Sequence, residues 1–510
     1  MDVSLSVPAV EARDISFSYQ DYSHASRYFP PVLTHVDFSL PQGGKMVVLG
    51  PPDSGKSTLA RILTGCIPRY FSGYMEGSVS ILGRSMGDAA PWTRVEDISY
   101  VAHESTEELV ATSCRDEIVF PLESLGMDNR AMEERLAASV KDWSLEQQLD
   151  AGGDELSGGE RRRLLMAVTQ AIDAPILVLD EPFDDLDGSW REKLLEYLNH
   201  PRRTVIVFAS RPLDIWHGHF DTWAVMDKGC LETGTEKEIL YRISHGWGAL
   251  PPSGQSRSVT VPMEPVPDDE AASTGESSTK KSPAVNFPAS HVLKATHVLN
   301  ATGLSIRHER ASSAGTFHLS VSDFHLSSGE TVALIGDNGA GKSTFCRVLA
   351  GLDVPVAGSV MCDGRQDSAL LRGSIGYMFQ NPDHQIFLPT VREELAWSFS
   401  RRKDIRPETA EEKVLRACSL FRLEAEATPS TMSYGARKRL QAAVCWLLDR
   451  PFHVLDEPDA ALTYADAFCL VQVLREQGAG ILLVSHDREF VSRICSRVYR
   501  VADGVLEEVV

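Results

Sequence analysis

The octapeptide Gly336-Asp337-Asn338-Gly339-Ala340-Gly341-Lys342-Ser343 fits G-x-x-x-x-G-K-[ST] and has the right neighbours on both sides. Thr331 to Ile335 before it is apolar and β-prone, and Thr344 to Ala350 after it can run as a helix. A strand, a glycine loop and a helix in that order form a phosphate cradle, because glycines let successive N–H groups and the helix N-terminus converge on negative charge. Lys342 is placed to reach the β- and γ-phosphates of a nucleotide, and Ser343 its Mg²⁺.

The motif occurs twice. Gly50-Pro51-Pro52-Asp53-Ser54-Gly55-Lys56-Ser57-Thr58 follows the apolar run Met46 to Leu49 and precedes the helical pattern Thr58 to Leu63. Two Asp-Glu pairs, Asp180-Glu181 and Asp456-Glu457, each end an apolar strand and lie at nearly the same distance from their loops. The motifs therefore recur in order, as in a tandem duplication. Residues 1–248 and 292–510 are expected to be the two domains. Residues 249–291, rich in Pro, Ser and Thr, are expected to be a flexible linker. Within each copy short apolar strands alternate with helical patterns, which predicts an α/β fold with a mainly parallel sheet. Phosphate loop and acid pair then meet at the carboxyl ends of the strands.

The net charge of −21 argues against a nucleic-acid surface as the working face. The nine cysteines are scattered, without C-x-x-C spacing, as expected of reduced thiols. Apolar runs such as Thr204 to Ala209 are far shorter than the roughly 18 residues a membrane span needs, and the acidic N-terminus does not read as a signal peptide. Any membrane association is expected through a partner.

In each pair the first acid, Asp180 or Asp456, can hold Mg²⁺ through water, while the second can hold an attacking water near the γ-phosphate. Leu156-Ser157-Gly158-Gly159-Glu160 opens a helix with a further anion site. Phosphate loop, LSGGE and LDEP, twice over, resemble the ATP-binding cassette (ABC) ATPases across everything but the linker. The resemblance implies two tandem P-loop NTPase domains, each with a parallel sheet core, an antiparallel β part and a helical subdomain. It also implies ATP and Mg²⁺ as ligands and a head-to-tail cassette dimer within the chain. Gly376 to Ala396 is similar to the corresponding segment of energy-coupling-factor (ECF) transporter ATPases, which drive uptake of vitamins and of cobalt or nickel. That implies a peripheral location on the cytoplasmic face of the cell membrane, and as partners a transmembrane coupling protein and a substrate-binding membrane component. The alternatives are an importer or exporter ATPase outside that group, or a soluble tandem ATPase acting on ribosomes or DNA. The acidic charge and Pro/Ser-rich linker disfavour the latter.

Departures from the family pattern are sorted. His103 stands where Gln380 stands, Arg211 where His486 stands, Tyr434 where Gly158 stands, and Thr463 where Asp187 stands. Under head-to-tail pairing all four fall on one composite site, together with the first loop. There Pro52 lacks an N–H and Asp53 adds a carboxylate, so weaker phosphate binding is expected. The other site combines Gly336 to Thr344, Gln380, Asp456, Glu457 and His486 with Ser157, Gly158, Gly159, Glu160 and Asp187. This second site is expected to hydrolyse ATP, with Glu457, His486, Gln380 and Lys342 catalytic. Ser343, Asp456 and Gln380, and in the first copy Ser57 and Asp180, are the expected metal ligands. Tyr19 is placed to stack on an adenine.

Overall fold

The computed structural model describes residues 7–20, 30–87, 90–103, 109–184, 186–245, 297–309, 316–337, 339–399, 406–460 and 462–509. The expected linker, Asn338 of the second loop, and Asp185 and Ala461 of the turns after the acids lie outside these residues.

Both copies build the same core from the same strand order. In the first, Lys45–Leu49 lies between Thr222–Asp227 and Thr204–Ala209, followed outward by Ile176–Asp180 and Ile98–Val101, all parallel. In the second, Thr331–Gly336 lies between Arg497–Ala502 and Gly480–Val484, followed by Phe452–Asp456 and Ile375–Met378. The central strands are buried on both faces, which explains why their sequences are runs of Val, Leu and Ile rather than alternating patterns. An antiparallel β part flanks each core. It is a separate four-stranded sheet in the first copy, and in the second it joins the core through a short parallel ladder, Ser320 and Val321 against Val505 and Leu506.

Helices Cys114–Ser124, Asn129–Asp142 and Gly158–Ile172 form the helical part of the first copy, matched by Val391–Trp397, Pro407–Phe421 and Tyr434–Leu448 in the second. No helix of the described residues is long and apolar enough to cross a membrane.

Candidate active site

Each phosphate loop turns tightly at the end of its central strand. Gly55 and Gly341 take φ of 102° and 101° just before the helices Lys56–Leu63 and Lys342–Leu349. At Gly336 a Cβ would lie 2.5 Å from the Val501 carbonyl oxygen, so glycine is required there. Asp53 and Gly339 occupy one left-handed position, φ 64° and 75°, which is uncommon for an aspartate and costless for a glycine. Lys56 and Lys342 are buried, and each Nζ donates to two carbonyls of its own loop, Gly50 and Pro51 in one, Gly336 and Asp337 in the other. Burial lowers both lysines below their ordinary range, against the pull of the nearby acids. Tyr19 is half-buried, its hydroxyl 3.1 Å from Thr58 Oγ1 and its ring edge-on to Phe17.

The second acid of each pair is held in a conformation that no sequence signal marks. Glu181 and Glu457 both have φ of 49°, while their N–H groups bond back to the next strand, at Phe208 and Val484. Such left-handed non-glycine residues gather at functional sites. Their surroundings differ. Glu457 Oε2 accepts from Gln380 Nε2 at 3.1 Å, and Glu457 Oε1 lies 3.5 Å from His486 Nε2. Burial pushes this carboxyl up, but His486, then Lys342 and Lys438, outweigh burial and hold it at about 2. Its neighbour Asp456 is raised to about 6 by burial and the Glu457 charge, against hydrogen bonding from Ser343. In the first copy Glu181 accepts from Ser210 Oγ, and burial together with Asp184 raises it to about 7. His103 Nε2 sits 3.7 Å from Asp184 Oδ2 instead of on Glu181. Arg211, in the place of His486, turns to the other copy, with Nη2 3.0 Å from Asp459 and Nη1 3.3 Å from Asp487.

The two copies meet head to tail. Ser157, Gly159, Glu160, Arg163, Asp187 and Trp190 of the first copy line one cleft together with Gly339 of the second. Ser157 caps its helix by accepting from the Glu160 N–H, and the Glu160 carboxylate returns to the Ser157 N–H, a reciprocal capping box. Across the interface, Tyr434 of the second copy packs edge-on against His103, ring centroids 4.3 Å apart, and donates its hydroxyl to the Gln380 carbonyl. A side chain thus stands where the matching Gly158 has none.

One expectation needs refining. Asp53 is not a bare charge facing phosphate, because Arg439 of the second copy's signature helix pairs with it at 3.0 Å. Thr463 replaces an acid but keeps its capping role. It caps the helix Tyr464–Glu476 through the Asp466 N–H at 3.1 Å, as Asp187 caps Gly188–Leu198 through the Trp190 N–H. The acid is lost, while the cap remains.

Sequence reasoning missed Arg162 and Lys438. Both are fully buried at matching places in the signature helices. Arg162 donates to the Ala102 and His103 carbonyls, and Lys438 to those of Phe379, Gln380 and Glu457. Their positions in Arg161-Arg162-Arg163 and Arg437-Lys438-Arg439 were visible, but basic residues on a helix usually face solvent.

The ABC transporter family model matches residues 33–184 and 319–460. An ABC transporter ATP-binding protein of Vibrio vulnificus is 27% identical over 521 residues, covering 98% of this chain and 89% of its own length. One from Methanosarcina mazei is 29% identical over 534 residues, covering 97% of this chain and 88% of its own. An archaeal ribosome recycling factor, solved with the ribosomal stalk protein, superposes with a TM-score of 0.56 over 96% of this chain and 89% of its own. At 18% identity that likeness bears on fold alone. Two family matches in tandem, each holding a phosphate loop, make the chain a member of the ABC transporter family, an ATPase with two ATP-binding cassettes.

Proposed function

We propose that this chain, as two cassettes spanning residues 1–248 and 292–510, is the ATP-hydrolysing subunit of an ECF-type transporter at the cytoplasmic face of the membrane. It powers uptake of a vitamin or of cobalt or nickel through a transmembrane coupling protein and a substrate-binding component. Hydrolysis belongs to the site made of Lys342, Gln380, Asp456, Glu457 and His486 with Ser157, Gly158, Gly159 and Asp187. The observation that carries this is the contrast between Glu457, flanked by Gln380 and His486, which hold it low, and Glu181, bonded to Ser210 and raised by burial beside Asp184.

The residues divide the work. Glu457 orients the attacking water as a hydrogen-bond acceptor, a role that suits a carboxylate with so little affinity for a proton. His486, beside it, faces the γ-phosphate, and Lys342 offsets negative charge on the β- and γ-phosphates. Ser157 and the amides of Gly158 and Gly159 complete the cage from the opposite copy. Ser343 and Asp456, whose side chains are hydrogen-bonded to each other, fit Mg²⁺, with Gln380, held on the adjacent Glu457, as the third ligand; the ion would supply charge neutralisation on the phosphates. Ser57 and Asp180 are the counterparts at the other site.

A surface feature supports membrane partners. Phe387 and Trp397 are 66% and 55% exposed and pack edge to face, and Val110 and Phe120 stand exposed at the matching positions of the first copy. In each copy a buried carboxylate, Glu394 or Glu117, accepts two backbone N–H groups from the loop that presents Phe387 or Val110, while Trp397 and Phe120 stand on the following helix. Exposed large apolar groups held on fixed elements are the mark of a docking surface.

The test compares Glu457→Gln and Glu181→Gln in the full chain. Glu457→Gln is expected to lower turnover at least ~100-fold while ATP is still bound, and Glu181→Gln by less than about 3-fold. Equal losses would refute the assignment of sites. Mass spectrometry of proteins co-purified from membranes decides between ECF partners and those of another transporter.

A further inference from the structure

The cluster around Arg211 has no place in the mechanism above, and it bridges the two copies. Its guanidinium comes from the first copy, and both carboxylates it meets come from the second: Asp459 and Asp487, each less than 10% exposed. Asp459 follows Glu457 by two residues and Asp487 follows His486 by one. A single planar cation therefore ties together the two turns that carry the catalytic acid and its histidine. The ties are firm at each end. Ser485 Oγ donates to Asp459, Tyr464 Oη donates to Asp487 at 2.8 Å, and Asp487 also accepts the Phe490 N–H as a helix cap. The Tyr464 ring lies under the guanidinium at 5.5 Å.

The arrangement is one-sided. The first-copy residues matching Asp459 and Asp487 are Phe183 and Pro212, neither able to receive a charge, and the residue matching Arg211 is His486, which sits on Glu457 instead. Three residues in two copies are thus complementary in one orientation only.

We infer that Arg211 is a positioning residue for hydrolysis at the opposite copy's site, holding Glu457 and His486 in register through Asp459 and Asp487. The inference rests on the assignment of Glu457 and His486 proposed above. It gives the altered first copy a part in the reaction: its Arg reaches across to the acids of the second copy and sets the geometry there. Geometry of this kind matters because displacement of a reacting group by about 1 Å can cost on the order of 100-fold in rate.

The test uses the full chain with Arg211→Ala, Arg211→Lys, Asp459→Asn and the double variant Arg211→Ala/Asp459→Asn. Steady-state ATPase, ATP affinity measured on a Glu457→Gln background, and thermal unfolding are read for each. Arg211→Ala should lower kcat about 10- to 100-fold with KM and ATP affinity within about 2-fold. Arg211→Lys should recover much of the loss, and the double variant should be scarcely slower than the worse single one. An unchanged kcat in Arg211→Ala overturns the inference, as does a parallel collapse of kcat, ATP affinity and melting temperature, which would mark a purely structural tie. Full activity of Glu457→Gln would instead refute the site assignment beneath it, so the two failures are distinguishable.

Discussion

Replacing Glu181 by Gln should stabilise the protein increasingly as pH rises. Burial, and next to it the Asp184 charge, lifts this carboxyl from 4.5 to about 7. A folded-state value above the unfolded one means that the native protein holds the proton more tightly. The stabilising contribution of the neutral acid is therefore full below about 4.5 and is lost as pH climbs through about 7. At about 1.36 kcal/mol per unit, the loss between pH values of about 5.5 and 8 comes to about 2 kcal/mol. Gln cannot titrate and can still accept from Ser210, so the stability difference between Glu181→Gln and the parent chain should grow by that amount over the range. Denaturant unfolding followed by tryptophan fluorescence suits the measurement, since Trp143, Trp216 and Trp223 are buried in the first copy's core. Glu457→Gln is the control. That carboxyl lies at about 2 and is fully ionised throughout the range, so its difference from the parent should stay flat. A Glu181→Gln difference that is level or shrinks between the two pH values would refute the description of Glu181 as a carboxyl held neutral by its surroundings.

Lys438→Met should destabilise the second copy by about 3 kcal/mol, leaving buried carbonyls of Gln380 and Glu457 without their charged donor. Lys438→Arg, which copies Arg162, should lose far less, and urea melts compared with ATPase rates check both. Phe387→Ser combined with Trp397→Ser should leave ATP hydrolysis by the purified chain within about 2-fold while abolishing recovery of membrane proteins in co-purification, because two exposed apolar rings supply the docking area without touching the clefts.

Much of this was legible in the residues because the chemistry is local. Gly336, Gly341 and Lys342 must be neighbours in sequence to surround one phosphate, and Asp456 and Glu457 must end one strand. Hence the doubled loops and acid pairs revealed the fold and the clefts together. Cross-copy relations were beyond that reach. Arg211 read as a missing histidine; its partners Asp459 and Asp487 lie in the other domain and carry no marker of their own. Asp53 read as a repulsive charge until Arg439 was placed opposite it. The left-handed backbone of Glu181 and Glu457 was equally hidden, since the carbonyls that receive their N–H groups, Phe208 and Val484, lie on strands distant in sequence. Thr463 taught a smaller lesson: a lost acid was visible, but aspartate and threonine cap a helix alike, so the cap survives.

The lopsided charges across the interface also govern how separated halves would choose one another. Two N-terminal halves brought together would set each Arg211 against Phe183 and Pro212, stranding a cation away from water. Two C-terminal halves would crowd Asp459 and Asp487 around His486 with no guanidinium between them. Only the mixed pairing sets a guanidinium against both carboxylates, so the fused chain carries within it the code for a heterodimer, and cutting the connection between its halves should not let either self-associate in the other's place.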